Sequence, residues 1–320
     1  MKAITIPEFG SADVLRLDEV EIPEPGPGQV SIDVAYAGAN FAEILYRQGV
    51  VDVPLPFVPG IEVSGRVRAL GPGVEGLRVG QPVAALTIVD SGGYAEVVTT
   101  SADLVSPLDG YDLGLGIAAA LPSNSTTALL VLDRVARIEP GETVLVHAAA
   151  GGVGSQLGQA ARLLGAGRVV GTVGSPAKIE KAKAFGYDEV VLREQVAEAG
   201  RFDVVVDMVG GTTRRTSLDL LAPMGRMVVM GNASGAEDVG ISANEVWFTN
   251  KTVSGFNLAA FAAAFPAEAG RALHRAVAAA ASGELRVQVE SLRLEQAAEA
   301  HRRIESGRTT GKLVLEVERM

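Results

Sequence analysis

The 320-residue chain is 48% hydrophobic, contains no cysteine and carries a formal charge of −10. Its size supports large Ala/Val/Leu/Ile cores and, at about 150 residues per domain, two domains, while the missing cysteines exclude disulfides, thiolate metal sites and cysteine nucleophiles. The acidic balance lacks the positive field that nucleic acid or an anionic membrane requires, no stretch reaches the ~18 apolar residues of a membrane span, and the run from Met1 to Glu8 has no apolar signal core, so a cytoplasmic protein is expected.

Residues 1–121 carry short β-like runs cut by Gly and Pro, at 30–35, 62–69, 81–86 and 94–99, and read as a compact β-rich domain. Between 122 and 257 strands alternate with helices, the strand candidates being 143–147, 168–173, 189–192, 203–207, 225–230 and 251–255. Six strands on this alternation predict an α/β fold with a doubly wound parallel sheet. After Phe256 come an Ala-rich helical stretch, a short strand near Val287, a helix at about 294–306 stopped by Gly307, and a final strand at 313–317. The tail is expected to return to the first domain. That makes 1–121 plus 258–320 one discontinuous domain, with 122–257 inserted in it as a second.

The segment Val144-Leu-Val-His-Ala-Ala-Ala-Gly-Gly-Val-Gly154 runs an apolar strand into a glycine turn and a helix. Ala148, Gly151 and Gly154 stand at the A-x-x-G-x-x-G spacing of a dinucleotide site: Gly151 allows backbone to approach a pyrophosphate, and Gly154 allows the helix to pack on the strand. Tight turns also use glycine for steric reasons alone. The flanking context favours the nucleotide, since Leu157, Ala160, Ala161 and Leu164 keep helical spacing and a second strand follows within a ~30-residue βαβ unit. An NAD site places an acid about 20 residues past the glycines, on the ribose hydroxyl. From Arg168 through Ala177 there is no carboxylate; Gly174, Ser175 and Lys178 stand there, with Arg193 after the third strand. This set suits a 2′-phosphate and points to NADPH. Ser175 and Pro176 also read as an ordinary N-cap and first helical residue, with Lys178 as a solvated lysine of the first turn.

The remaining titratable groups look structural. His147 reads as a hydrogen-bonded imidazole at the end of a strand, His274 and His301 as solvated helix residues, and Asp207 equally as a ligand-edge acid or an N-cap. No His/Asp/Glu set has metal spacing, and no nucleophile elbow or His-Glu-x-x-His sequence supports a hydrolase.

Seven further pieces span nearly the whole chain: Tyr36-Ala-Gly-Ala-Asn-Phe-Ala-Glu43, Pro59-Gly-Ile-Glu-Val-Ser-Gly65, Gly80-Gln-Pro-Val83, His147 to Gly154, Gly171-Thr-Val-Gly-Ser175, Val206-Asp-Met-Val-Gly-Gly211 and Pro223-Met-Gly-Arg-Met-Val-Val-Met-Gly231. Together they resemble the medium-chain dehydrogenase/reductase superfamily, and within it the zinc-free quinone oxidoreductase branch related to zeta-crystallin and polyketide enoyl reductase domains. The resemblance implies a doubly wound Rossmann sheet inserted in a β-rich GroES-like catalytic domain, NADPH as cofactor, and a homodimer. Zinc alcohol dehydrogenases of the superfamily place a Cys and a Gly-His-Glu histidine where this chain has Asn40 and Ile61, and a four-cysteine loop after about Leu86, where Thr87 to Gly93 leads directly onward. Alkoxide stabilisation by a Lewis acid is then unsupported. Hydride transfer to an electron-poor quinone or α,β-unsaturated carbonyl remains feasible.

The same resemblance implies the residue roles. Asn40 lines the nicotinamide pocket, or makes an Asx turn at the end of a strand; Thr127 lies beside the nicotinamide, or is a helix-surface hydroxyl. Ala150, Gly151, Gly152 and Val153 cover the pyrophosphate. Met208 and Val209 flank the adenosine side, and Gly231, Asn232, Phe256, Asn257 and Leu258 reach the ribose and carboxamide. Lys312 comes to the cofactor or acceptor, or is a solvated strand lysine. Relatives carry a tyrosine at the place of Leu45, whereas here it is Tyr46; one residue turns a helical side chain by about 100°, so a partly buried aromatic is the simpler reading, and water serves equally as proton donor. The implied function is zinc-independent, NADPH-dependent reduction of a small quinone or enone; the other reading is an NADPH-binding structural or regulatory protein without turnover.

Overall fold

A computed structural model describes residues 1–317. The chain divides into two compact units, one made of Met1–Thr126, Leu258–Gly283 and the segment from Val287 onward, the other of Thr127–Asn257 with Glu284–Arg286. Residues 122–126 therefore lie with the first unit and 284–286 with the second, and the last three residues of the expected 258–320 segment lie outside the described residues.

The first unit is built on a seven-stranded sheet. Its path runs Val289–Arg293, Lys312–Glu316, Gln29–Ala39, Glu62–Leu70, Pro82–Leu86, Val105–Pro107, with Val97–Ser101 also pairing Gln29–Ala39. All pairs are antiparallel except Val289–Arg293 with Lys312–Glu316. Valine and isoleucine dominate these strands, and their inward side chains, Val30, Ile32, Val34, Val63, Val67, Val83, Leu313 and Leu315, make one buried cluster; each full burial contributes roughly 1.5–3 kcal/mol. The pairing of Leu313 with Ala39 and of Val314 with Gly38 seats the chain's last strand beside one of its first. Gly38 matters sterically. A methyl group there would stand 2.3 Å from Glu62 Oε1, so the absent side chain leaves room for a carboxylate.

The second unit is a six-stranded, wholly parallel sheet in the order Glu189–Leu192, Arg168–Val173, Thr143–Val146, Phe202–Asp207, Leu221–Val229, Thr252–Gly255. Numbered within the unit this is 3-2-1-4-5-6, the doubly wound order whose strand reversal makes a ligand crevice. The sequence expectation of six such strands and their alternation holds, with the fifth strand starting earlier, at Leu221. Its central strands are nearly continuous buried Val and Leu, as a sheet covered on both faces requires.

Candidate functional site

The glycine turn follows the first strand of the parallel sheet. Ala148 adopts φ +53, and Gly151 caps the helix Gly152–Leu163, whose first internal bond runs from Ser155 N–H to Gly151 O at 2.8 Å. The N–H groups of 152–154 precede that bond, the arrangement that makes a helix start an anion site. The two glycines differ in what they do. A methyl group at Gly154 would lie 2.2 Å from Ala148 O, so the helix packs on the turn only through hydrogen; at Gly151, with an ordinary φ of −77, it would meet only Ala148 O at 3.3 Å. The fold needs Gly154, and Gly151 keeps open a space that the fold does not use. Buried Tyr187 locks the turn from behind, donating to Gly154 O at 2.5 Å and packing where Gly158 and Gly171 have no side chains.

Past the second strand, Ser175 occupies the N-cap position of the short turn Pro176–Lys178, but its hydroxyl makes no capping bond. The ordinary-cap reading is corrected on that point. Lys178 is half-buried rather than solvated, and burial, with Lys181 and Arg193 nearby, lowers its pKa. A guanidinium nitrogen of Arg193 lies 3.6 Å from where a Gly174 side chain would begin, and the buried Arg193 Nε has no hydrogen-bond partner. Neither Lys178 nor Arg193 is paired with a carboxylate among the described residues. Two cations, a free hydroxyl and an orphaned N–H thus stand together without an acid.

At the neighbouring strand ends the polar groups are already engaged. Asp207 is fully buried; its Oδ1 accepts from Val209 N–H at 2.9 Å and Gly210 N–H at 3.0 Å, and its Oδ2 from Arg214 Nε at 3.0 Å. Of its two readings, the structural turn cap is the one seen. Arg214 also donates to Gly231 O at 2.7 Å, tying this strand end to the next. Met208 is half-buried and Val209 buried, while Gly231 and Asn232 are exposed, the Asn232 amide donating to Ala236 O at 2.8 Å within its own loop. Phe256, half-buried, donates its N–H to Val229 O. Leu258 opens the helix Leu258–Ala264 of the first unit.

His147 is structural, as expected: its ring nitrogens lie 2.8 Å from Thr172 Oγ1 and 2.8 Å from Ser217 Oγ. Because Ser217 spends its own proton on Thr213 O, it must accept from His147 Nε2. Burial pushes the imidazole down to about 4. His274 is exposed, but His301 is not; it is fully buried, 3.4 Å from Tyr94 Oη and pushed down to about 3 by burial and by Arg47. The helix Ala297–Glu305 turns Ala297, Ala300 and His301 inward together, which overturns the solvated reading.

In the first unit Asn40 stands at the N-cap of the helix Phe41–Arg47, where its side chain makes no capping bond. Asn40 N–H donates to Glu43 Oε2 at 3.0 Å, and Asn40 Nδ2 to Glu62 Oε1 at 2.9 Å. Lys312 Nζ bonds both Asn40 Oδ1 and Glu62 Oε1. Lys312 is therefore a buried, ion-paired residue, not the solvated strand lysine that was one of its two readings. Glu43 and Glu62 are the functional candidates that sequence reasoning missed; the signal was an acid at the head of the buried run 62–65, facing a strand that carries Gly38. Tyr46 is half-buried, edge-on to Phe57 with ring centroids 5.6 Å apart, and burial and Glu43 raise its pKa. Thr127 is buried in the helix Asn124–Leu129, not exposed on its surface.

Residues 26–110 match the family model described as an alcohol dehydrogenase GroES-like domain, and 184–315 the one described as a zinc-binding dehydrogenase. The chain is 34% identical over 331 residues to a quinone oxidoreductase of Pseudomonas aeruginosa, covering 98% of this chain and 99% of that one. It is 32% identical over 348 residues to the human synaptic vesicle membrane protein VAT-1 homolog-like, covering 100% and 81%. The crystal structure of Escherichia coli quinone oxidoreductase complexed with NADPH superposes with a TM-score of 0.89 at 29% identity, covering 99% and 100%. The chain belongs to the medium-chain dehydrogenase/reductase superfamily, in its quinone oxidoreductase branch, and is an oxidoreductase. The resemblance drawn from its motifs is borne out.

Proposed function

We propose that the chain is an NADPH-dependent reductase of quinones or α,β-unsaturated carbonyls that works without zinc. The observation that carries the cofactor is the acid-free group of Ser175, Lys178 and Arg193 beside Gly174: an orphaned buried guanidinium N–H and an unpaired ammonium fit a dianionic 2′-phosphate, and a ribose hydroxyl would leave both unsatisfied. The open face of Gly151 and the N–H groups of 152–154 suit the pyrophosphate, with Ala150 and Val153 alongside. Met208, Val209, Gly231, Asn232, Phe256 and Asn257 are the candidates for the rest of the nucleotide, Asn232 through its backbone because its amide is taken. Bound there, the nicotinamide supplies a hydride; the chain supplies orientation, and well-oriented reactants gain roughly 7–11 kcal/mol. In the first unit Asn40 and Tyr46 are the candidates for contact with the reactants, Lys312 being bonded to the Asn40 oxygen.

Zinc does not fit the residues present. The two positions that hold ligands in zinc relatives are Asn40 and Ile61, the chain has no cysteine, and the Asn40 oxygen is already bonded to an ammonium that would repel a dication. No group of three or more metal-ligating side chains occurs among the described residues, and no helix among them is long and apolar enough to cross a membrane.

A second copy is the proposed partner. Among the described residues the edge strand Thr252–Gly255 has a neighbour on one side only, and near it Trp247 and Phe248 stack at 4.6 Å while 70% and 73% exposed. The decisive test of the function is NADPH oxidation against a panel of quinones and enones, with NADH and alcohol substrates in parallel. Alcohol turnover that depends on zinc would refute it.

A further inference from the structure

Glu43, Glu62 and Lys312 are all buried and meet at Asn40. Two carboxylates and one ammonium leave one negative charge in excess, and a buried charge without a partner takes up a proton. Glu62 is the member paired with the cation: Lys312 bonds its Oε1, and Ser123 N–H donates to its Oε2 at 2.7 Å. Glu43 makes no direct bond to a cation, Lys312 acting on it only through space, and it accepts from Asn40 N–H at 3.0 Å, Ile61 N–H at 3.2 Å and Asn40 Nδ2 at 3.4 Å. Burial pushes its carboxyl up to about 7. The titratable groups around it are Lys312 and Glu62 on the sheet, Tyr46 on its own helix, and Tyr94.

Asn40 stands between a partner that can only donate and one that can only accept. Lysine must meet the amide oxygen and carboxylate must meet the amide nitrogen, so only one of the two amide orientations satisfies both. The nitrogen also lies 3.4 Å from Glu43 Oε1, which leaves one oxygen lone pair as the amide's unused capacity. So held, Asn40 can accept a hydrogen bond from a reactant and cannot give one.

Resting on the reductase reading above, we propose that Glu62 and Lys312 are positioning residues, acting as a pair to fix Asn40 as a hydrogen-bond acceptor toward the reactants, while Glu43 holds the proton that balances the cluster. The pair matters more than either member. Removing Lys312 strands the Glu62 carboxylate and removing Glu62 leaves Lys312 to Glu43 alone, whereas removing both takes away the pair of charges together.

The test has two arms. In protein labelled with 13C at glutamate carboxyls, one resonance should titrate near neutrality and vanish in Glu43→Gln; its midpoint should rise in Lys312→Met and fall in Glu62→Gln. With NADPH and 9,10-phenanthrenequinone, Lys312→Met and Glu62→Gln should each lose about tenfold or more in kcat/KM with NADPH affinity little changed, and the double variant should recover most of that loss. The alkaline limb of the parent's pH profile should flatten in Glu43→Gln. A midpoint indifferent to both charges, or a double variant as impaired as the product of the singles, overturns the proposal. If the parent reduces no acceptor, the reductase reading fails while the titration still decides the cluster. Should Lys312→Met not fold, Glu62→Gln, nearly identical in shape, carries both arms.

Discussion

Lys178 and Arg193 gain their meaning from what surrounds them. Each alone is an ordinary basic residue, and only the strand pairing of Glu189–Leu192 with Arg168–Val173 brings Arg193 against Gly174. Lys178→Ala and Arg193→Ala should each weaken NADPH binding by about tenfold or more, the worth of one charge-assisted bond of roughly 1.5–3 kcal/mol, and leave NADH binding nearly unchanged. Fluorescence titration with both nucleotides checks this; equal losses for the two would show that the side chains do not meet the 2′-phosphate. The Lys312 cluster is far less legible from sequence, because its members stand at 40, 43, 62 and 312 and no local spacing joins them. Their meeting depends on the register that sets Leu313 against Ala39. His301 was readable in principle, since 297, 300 and 301 share one helical face and its neighbours there are alanines.

The strand, turn and helix from Thr143 to Leu163 form the most readable element, because an apolar run, a fixed glycine spacing and a helical stripe all describe one conformation. What spacing alone left open was the division of labour between the glycines. Gly154→Val drives a branched side chain into the Ala148 carbonyl and should lower the melting temperature sharply or prevent folding. Gly151→Val should keep most of the parent's melting temperature and lose NADPH binding, because its side chain enters space the fold leaves empty. Calorimetry with and without NADPH separates the two outcomes. Two variants with the same defect would disprove the distinction.

Across the whole molecule, buried titratable groups set opposing pH dependences. His147 and His301, held down to about 4 and about 3 by burial, stay neutral in the folded chain while the unfolded chain takes up protons below 6.5. Their contribution to stability is present above 6.5 and is lost as pH falls toward those values, at roughly 1 kcal/mol per pH unit per group. Glu43, raised by burial from 4.5 to about 7, has the opposite sign: its contribution is complete below 4.5 and is lost as pH rises through 7. Urea midpoints should therefore peak between about 6 and 7, with the acid side flattened in His301→Gln and the alkaline side in Glu43→Gln. A midpoint that rises steadily through pH 8 would contradict these assignments. At the same scale, the proposed homodimer should appear in light scattering at micromolar concentration, and Trp247→Glu should shift it toward monomer.

Gly38 couples the cluster's sterics to its charge. Glu62 fills the space where a side chain at 38 would begin, so a methyl group there forces the carboxylate to shift, and with it the partner on which Lys312 and the Asn40 amide are set. Three positions separated by most of the chain's length thus act as one coupled unit, so that a change at any of them is felt at the other two.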